Sequence, residues 1–356
     1  MTERQRAPLA VQARGAALGL AAAALFGVSA PVAKVLLGEI SPVLLAGLLY
    51  LGAAIGLWTH RVFSRPTKEA RLGPGDAPKL AAVVLSGGVL GPVLMLLGLG
   101  RVTALTGSLL LNLEAPLTVL LAVLLFREHL GRHAAIAVAL IVSGAVVLKL
   151  EPGSLGADTA GVALLAGACA CWAVDNNLTQ RLSLKDPFAI VRAKTLVAGL
   201  ANTALGLIVT SFALPSWRFV LGALVLGSLS YGVSVVLDAF ALRLIGAARE
   251  AAYFATAPFV GALASVLLLG DPVRWHDGLA MLVMAVGVGF LLRERHGHQH
   301  AHDELSHEHL HEHDEHHQHE HQPGDPVGEP HSHPHRHAPL VHDHPHVSDA
   351  HHRHRH

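Results

Sequence analysis

Apolar residues fall in ten blocks, at roughly 15–37, 43–62, 78–100, 104–126, 133–149, 159–181, 188–213, 217–241, 246–269 and 276–292. Each is about as long as a helix needs to cross a hydrocarbon core of about 30 Å, the fifth and tenth being the shortest. No water is available there, so a backbone must satisfy its own polar groups, and helix is the form expected of all ten. Strands of a membrane barrel would be half as long and would alternate in polarity.

Within the fourth block a carboxylate, Glu114, and a proline, Pro116, interrupt the apolar run RVTALTGSLLLNLEAPLTVLLAVLLFRE (Arg101 to Glu128). The ninth block says nearly the same again, RLIGAAREAAYFATAPFVGALASVLLLGD (Arg243 to Asp271). Arg101 lies over Arg243 and Pro116 over Pro258 at one constant offset, and one extra residue brings Glu128 opposite Asp271. Earlier in each half FGVSAPVAK (Phe26 to Lys34) lies over WAVDNNLTQ (Trp172 to Gln180), and ISP (Ile40 to Pro42) over KDP (Lys185 to Pro187). A unit of five spans is odd in number, so the second copy enters the membrane from the opposite side. Inverted repeats with interrupted helices are the pattern of many secondary transporters, whose site lies near the midplane between the halves.

Lys and Arg in the connections set the orientation, because cytoplasmic loops retain positive charge. Arg4, Arg6 and Arg14 precede the first block, and Arg61, Arg65, Lys68, Arg71 and Lys79 follow the second. Arg127 and Arg132, Arg181 and Lys185, Arg243 and Arg249, and Arg293 and Arg295 follow the fourth, sixth, eighth and tenth. The other connections hold only Arg101, Lys149, Arg218 and Arg274, so both termini are expected in the cytoplasm. The basic N-terminus leads into an apolar segment of over twenty residues with further spans behind it, which reads as a first membrane helix and not a cleaved signal.

Composition agrees: mean hydropathy is +0.46 and only 15% of residues are charged, unlike a soluble domain. Formal net charge is zero with His neutral, which gives no basic field for nucleic acid. Cys169 and Cys171 share one apolar block, where alternate helix positions diverge, so no disulfide is expected between them. The pairs Gly15/Gly19, Gly52/Gly56 and Gly87/Gly91 have the spacing that lets helices approach closely, within the chain or in a homodimer. No nucleophile elbow, P-loop or paired-His motif stands in any span or loop, so no enzymatic chemistry is expected.

Two inverted halves, the FGVSAPVAK signature, an ISP start to the second helix and LNLEAPLTVLLAVLLFREHLGR before a short helix resemble the EamA domain, the repeat of the drug/metabolite transporter superfamily. The resemblance covers about Gly15 to Leu292. It implies an all-α integral protein of the bacterial inner membrane and a secondary carrier, an exporter of small metabolites working by alternating access without ATP. On that frame the chain divides into a cytoplasmic N-terminus (1–14), a first repeat (15–149), a periplasmic linker (150–158), a second repeat (159–292) and a cytoplasmic tail (293–356). The second copy departs from the first at Asp175, Asn176 and Asn177 and has Thr256 opposite Glu114, so a carboxylate stands at only one of those two paired positions.

Ionisable groups at membrane depth are costly and face a cavity or a partner. Glu114 is the first candidate for a coupling proton site or a cation ligand, against a structural role hydrogen-bonded to Thr118. Asp175, Asn176 and Asn177 follow one another on a helix and cannot all face one side, so at least one meets a cavity or a break. Lys34 and Lys194 are weaker candidates because each could snorkel to an interface, and Asp238 reads as solvated or paired. Pro31, Pro116 and Pro258 free backbone carbonyls that can line a cavity.

The tail holds 23 of the 27 histidines, mostly in HxH alternation, with almost no apolar residues to fold around. Neutral imidazoles at this density are ligands for Zn, Ni, Co or Cu, among them His298, His300, His302, His307, His309, His311, His313, His331, His333 and His335. The tail is therefore expected to be disordered and metal-binding. Two functions remain: a carrier of small organic solutes with a metal-binding tail, or a divalent-metal carrier in which that tail gathers metal. Against the second, the spans lack HxxxD and HxxxE, and His60, His129, His133 and His276 all lie near membrane edges. The partners expected are the lipid bilayer and a small-molecule or metal-ion substrate.

Overall fold

The computed structural model describes residues 3–64, 70–126, 130–148, 157–182, 185–245, 247–293, 296–302, 305–311, 331–337 and 340–346. Among the described residues eight helices are long and apolar enough to cross a membrane: α1 Gln12–Leu36, α2 Pro42–Phe63, α3 Pro74–Leu99, α4 Ala104–Leu125, α6 Thr159–Gln180, α7 Pro187–Val209, α8 Trp217–Leu242 and α9 Glu250–Leu269. Two shorter apolar helices, α5 Arg132–Val147 and α10 Trp275–Leu291, correspond to the fifth and tenth blocks of the sequence. The helix that opens α1 begins at Glu3, ahead of the first predicted block. Outward faces carry bare Leu124, Leu125, Leu267 and Leu268, as lipid contact requires.

Several helices are discontinuous, and the breaks obey the repeat. In α4 a 3-10 turn, Leu111–Leu113, precedes Glu114 and Pro116. In α9 a turn at Ala255 and Thr256 precedes Ala257 and Pro258. A π-helical turn, Val84–Leu90, interrupts α3, and another, Ser228–Val233, interrupts α8 at the corresponding position. The prolines explain the first pair, since Pro cannot donate to the carbonyl one turn back. The π turns coincide with the small residues Gly87, Gly88 and Gly232.

Packing shows the pseudo-twofold. Helices α2 and α7, α4 and α9, and α5 and α10 pack against their own counterparts, while α1 on α8 is matched by α6 on α3. Glycines permit the close crossings: a Cβ on Gly227 would strike the Leu49 carbonyl, and one on Gly52 would strike that of Leu224. Gly56 lies against Ser228, Gly15 against Ile245, Gly19 against Tyr253 and Gly91 against Trp172. The small-residue pairs noted in the sequence are therefore used inside the chain, and they lend a homodimer no support. Helix α9 ends in the usual way, on Gly270 at φ 69°, a left-handed position that favours glycine.

The tail departs from expectation. Strand β1 (His296–His302) pairs antiparallel with β4 (Leu340–His346), and β2 (Leu305–His311) with β3 (His331–His337). The physical reason lies in HxH alternation, whose period of two is that of a strand. His313 lies outside the described residues.

Gly227→Ala should lower the apparent melting temperature of the detergent-solubilised protein, because overpacking a tight contact costs about 1–3 kcal/mol. Gly278→Ala, where an added Cβ meets nothing within 4 Å, should leave it unchanged or slightly raised; equal loss in both would refute the close-crossing account.

Candidate functional site

The break in α4 decides what the centre of the molecule looks like. A 3-10 turn redirects backbone bonding, and the carbonyls of Leu110 and Leu111 lie within 3.7 and 3.9 Å of the buried Cys169 thiol of α6. Directly after the turn comes Glu114, whose Oε1 accepts a hydrogen bond from Asn176 Nδ2 at 2.7 Å. Thr118 completes the group: its hydroxyl donates to the Glu114 backbone carbonyl at 2.9 Å and lies 3.4 Å from Asn176 Nδ2. One turn of α4 and one turn of α6 thus meet through polar groups from opposite halves of the chain. Thr118 bonds the Glu114 backbone and not its carboxylate, which differs from the structural pairing weighed in the sequence.

The three consecutive polar residues of α6 divide as helical geometry demands. Asp175 and Asn177 are buried, and Asn176 is exposed beside Glu114. Asn177 Nδ2 donates to the Thr118 carbonyl at 3.1 Å and to the Ala173 carbonyl at 2.8 Å, a structural tie between α6 and α4. Asp175 forms an ion pair with Lys194 of α7 at 2.8 Å and accepts from the Thr179 hydroxyl at 3.0 Å. Gly87 of α3 leaves room for that carboxylate, which a Cβ there would strike. The pair is neutral overall, whereas no Lys or Arg among the described residues stands within ion-pair distance of Glu114.

Aromatic side chains surround this polar seam. The π turn of α3 presents the Gly87 carbonyl to two donors, the Tyr50 hydroxyl at 2.8 Å and the Trp172 indole N–H at 3.1 Å. Asn202 of α7 donates to the next carbonyl, that of Gly88, at 3.2 Å. The rings of Tyr50 and Tyr231 are 6.0 Å apart, and the Tyr231 and Ser29 hydroxyls lie within 3.3 Å. Phe26 sits 5.5 Å from Tyr231 and 5.4 Å from Phe254, which carries the seam to the break in α9. Glu114 and Tyr231 are both half-buried among the helices. Sequence reasoning missed Tyr50, Trp172, Tyr231 and Asn202. Rarity was the available signal, since the chain has only three tyrosines and four tryptophans.

Two candidates lie elsewhere. Lys34 does not join Glu114: its ammonium donates to the Leu99 and Val102 carbonyls at 2.6 and 2.7 Å, at the α3–α4 turn. Its four-carbon stem reaches carbonyls at a helix end, a favourable place for a cation. Thr256 bonds the Tyr253 carbonyl of its own helix at 2.6 Å and has no bond to the seam. Pro116 is buried and Pro258 half-buried, each just inside the helix that follows its break. Cys169 and Cys171 are both free thiols. Among the described residues of the membrane helices no group of three or more His, Cys, Asp or Glu side chains stands together as a metal site, so the spans lend the metal-carrier reading no support.

Apolar outward faces, two five-helix halves and a polar seam between them define a multi-pass membrane protein of the repeat-built transporter class. Residues 13–150 and 159–293 each match the EamA-like transporter family, and the chain belongs to that family, within the drug/metabolite transporter superfamily. An uncharacterized transporter of Methanothermobacter thermautotrophicus is 32% identical over 286 residues, spanning 75% of this chain and 82% of that one. A crystal structure with 20% sequence identity covers 79% of this chain and 99% of its own, with a TM-score of 0.54, a likeness of fold.

Lys194→Met would strand the Asp175 carboxylate, and breaking a buried ion pair from one side costs about 3–5 kcal/mol. Thermal unfolding in detergent should show that loss, and adding Asp175→Asn should recover most of it. A double variant no better than the single one would argue against the pairing.

Proposed function

We propose that the protein is an inner-membrane secondary transporter, an exporter of small solutes that works by alternating access around the seam between its halves. The observation that carries this reading is the bond from Asn176 to Glu114, one partner from each repeat, at the break of α4. A half-buried carboxylate bonded to a neutral amide can take up and release a proton or bind a charged solute. The Asp175–Lys194 pair holds α6 and α7 together as one body behind it.

Ten crossings, with both termini cytoplasmic, are part of the same reading, and parity supports them. Lys185 stands 3.9 Å from Asp76, and the Asp186 N–H donates to the Ala70 carbonyl at 3.0 Å, so the α2–α3 and α6–α7 connections share a face. Asp271, between α9 and α10, accepts from the Leu105 N–H at 2.9 Å, so that connection shares a face with the α3–α4 turn. Were α5 to stop short of crossing, both contacts would join opposite sides of the membrane. Helices α5 and α10 have 16 and 17 residues and pack on each other.

On the face with few basic loops, Lys34 holds the carbonyl end of α3 and Asp271 the amide end of α4, so the two halves meet around one turn. We read this as the outer closure, which opens once per cycle. The cytosolic His-rich tail belongs to the proposal as a metal-binding appendage.

In inside-out vesicles offered labelled amino acids, amines and nucleosides, uptake of the transported solute should fall more than tenfold in Glu114→Gln and in Asn176→Ala, with folded yield retained. Wild-type rates in Glu114→Gln would remove the seam from the mechanism. For the closure, a single cysteine replacing Ser29 in a chain with Cys169→Ala and Cys171→Ala should react faster with an impermeant maleimide from outside when Lys34→Gln or Asp271→Asn is added. The double variant should gain little over either single one, because both side chains hold the same turn. Unaltered labelling would exclude the closure and leave the seam untouched.

A further inference from the structure

The tail strands pair in a register that sets histidine opposite histidine. In the first ribbon His296 faces His346, His298 faces His344 and His300 faces His342. The second repeats the arrangement at three alternate rungs, with His309 opposite His333 at the middle one. A strand has period two, so alternate rungs belong to one face, and each ribbon has a double column of imidazole-bearing positions on one side.

Proline fixes which rungs these are. Pro345 pairs with Gly297 and Pro334 with Glu308, so in both ribbons proline occupies the set of rungs between the histidines. Proline cannot donate to a ladder, and it fits where the N–H would point away from the partner strand. The histidines then hold the hydrogen-bonded rungs, where opposed Cα atoms are about 5.5 Å apart. Successive histidine rungs are two residues apart, about 6.8 Å along the strand. Four histidines from two neighbouring rungs thus mark the corners of a small rectangle on one face.

We infer that each ribbon is a divalent-metal site built from two neighbouring cross-strand histidine rungs, so that the tail takes two ions per chain in an ordered ladder. Four imidazoles complete a tetrahedral zinc shell or the equatorial plane of nickel or copper. A two-stranded ribbon is marginal in water by itself, and a metal that binds the paired form stabilises it. The ligands must be neutral, so binding weakens below about pH 6 as imidazoles protonate. This inference extends the metal-binding reading of the tail and is independent of the transport seam.

The test uses the full chain in detergent, titrated with cobalt(II) while the visible absorption of four-coordinate cobalt is followed, with zinc competition and native mass spectrometry to count ions. The expected result is two tightly bound ions per chain. The informative variant keeps composition and shifts register: His298→Gln, Gln299→His, His300→Ala and Ala301→His move two histidines to the other face of β1 without changing their number. One ion should then bind at least tenfold more weakly while the other is unaffected. A shifted chain that holds both ions at the original affinity overturns the ladder and leaves unordered histidines as the ligands. A wild-type chain that binds none overturns metal binding by the tail altogether.

Discussion

Everything in this molecule follows from the requirement that a backbone in hydrocarbon keep its polar groups satisfied. Unbroken helices meet it locally, but this chain breaks its helices near the middle, and the freed carbonyls need partners from elsewhere. Gly87 shows how it is done: one carbonyl exposed by a π turn receives the Tyr50 hydroxyl and the Trp172 indole, the second of them from the other half of the chain. The Gly88 carbonyl next to it receives Asn202. At the other break Cys169 lies against the carbonyls of Leu110 and Leu111. Each irregularity is therefore also a joint between repeats.

This arrangement explains why chemistry collects at the seam. Donors recruited to satisfy broken helices bring amides, hydroxyls and rings into an interior otherwise made of Leu, Val and Ala. A carboxylate can then be held there at tolerable cost, because Asn176 meets Glu114 and Lys194 neutralises Asp175. The rest of the fold is close packing of small residues, as at Gly52 and Gly227, which keeps the halves near enough for those bonds to form. The family to which the chain belongs is one of transporters, and a polar seam between two repeats is a physical basis such a task can use.

Much of the architecture could be read from residues in order. The apolar blocks marked the eight long apolar helices and the two shorter ones, the proline alignment marked the paired breaks of α4 and α9, and WAVDNNLTQ opposite FGVSAPVAK singled out Asp175 and Asn176. Lys34 stood between two readings, a site residue or a stem that snorkels to an interface, and sequence could not choose between them. A lysine within an apolar block suggests membrane depth, but the length of its stem lets the ammonium reach carbonyls at a helix end, and sequence does not say which way it points. The π turns in α3 and α8 left no proline to signal them, and the histidine register of the tail needed the pairing of residues 20 or more apart in the chain.

Hydropathy and internal repetition are properties of neighbouring residues, and by themselves they determined a multi-pass helical protein built from two repeats, with its interruptions at Pro116 and Pro258. Tertiary structure alone decided the partners. Glu114 meets Asn176 and not Lys34, Asp175 meets Lys194, Asp271 caps a helix of the opposite repeat, and two of three tyrosines line the seam. The reason is one of distance: a span's need to cross is set within about twenty residues, whereas the group that satisfies a broken helix comes from wherever the other half of the chain has folded against it.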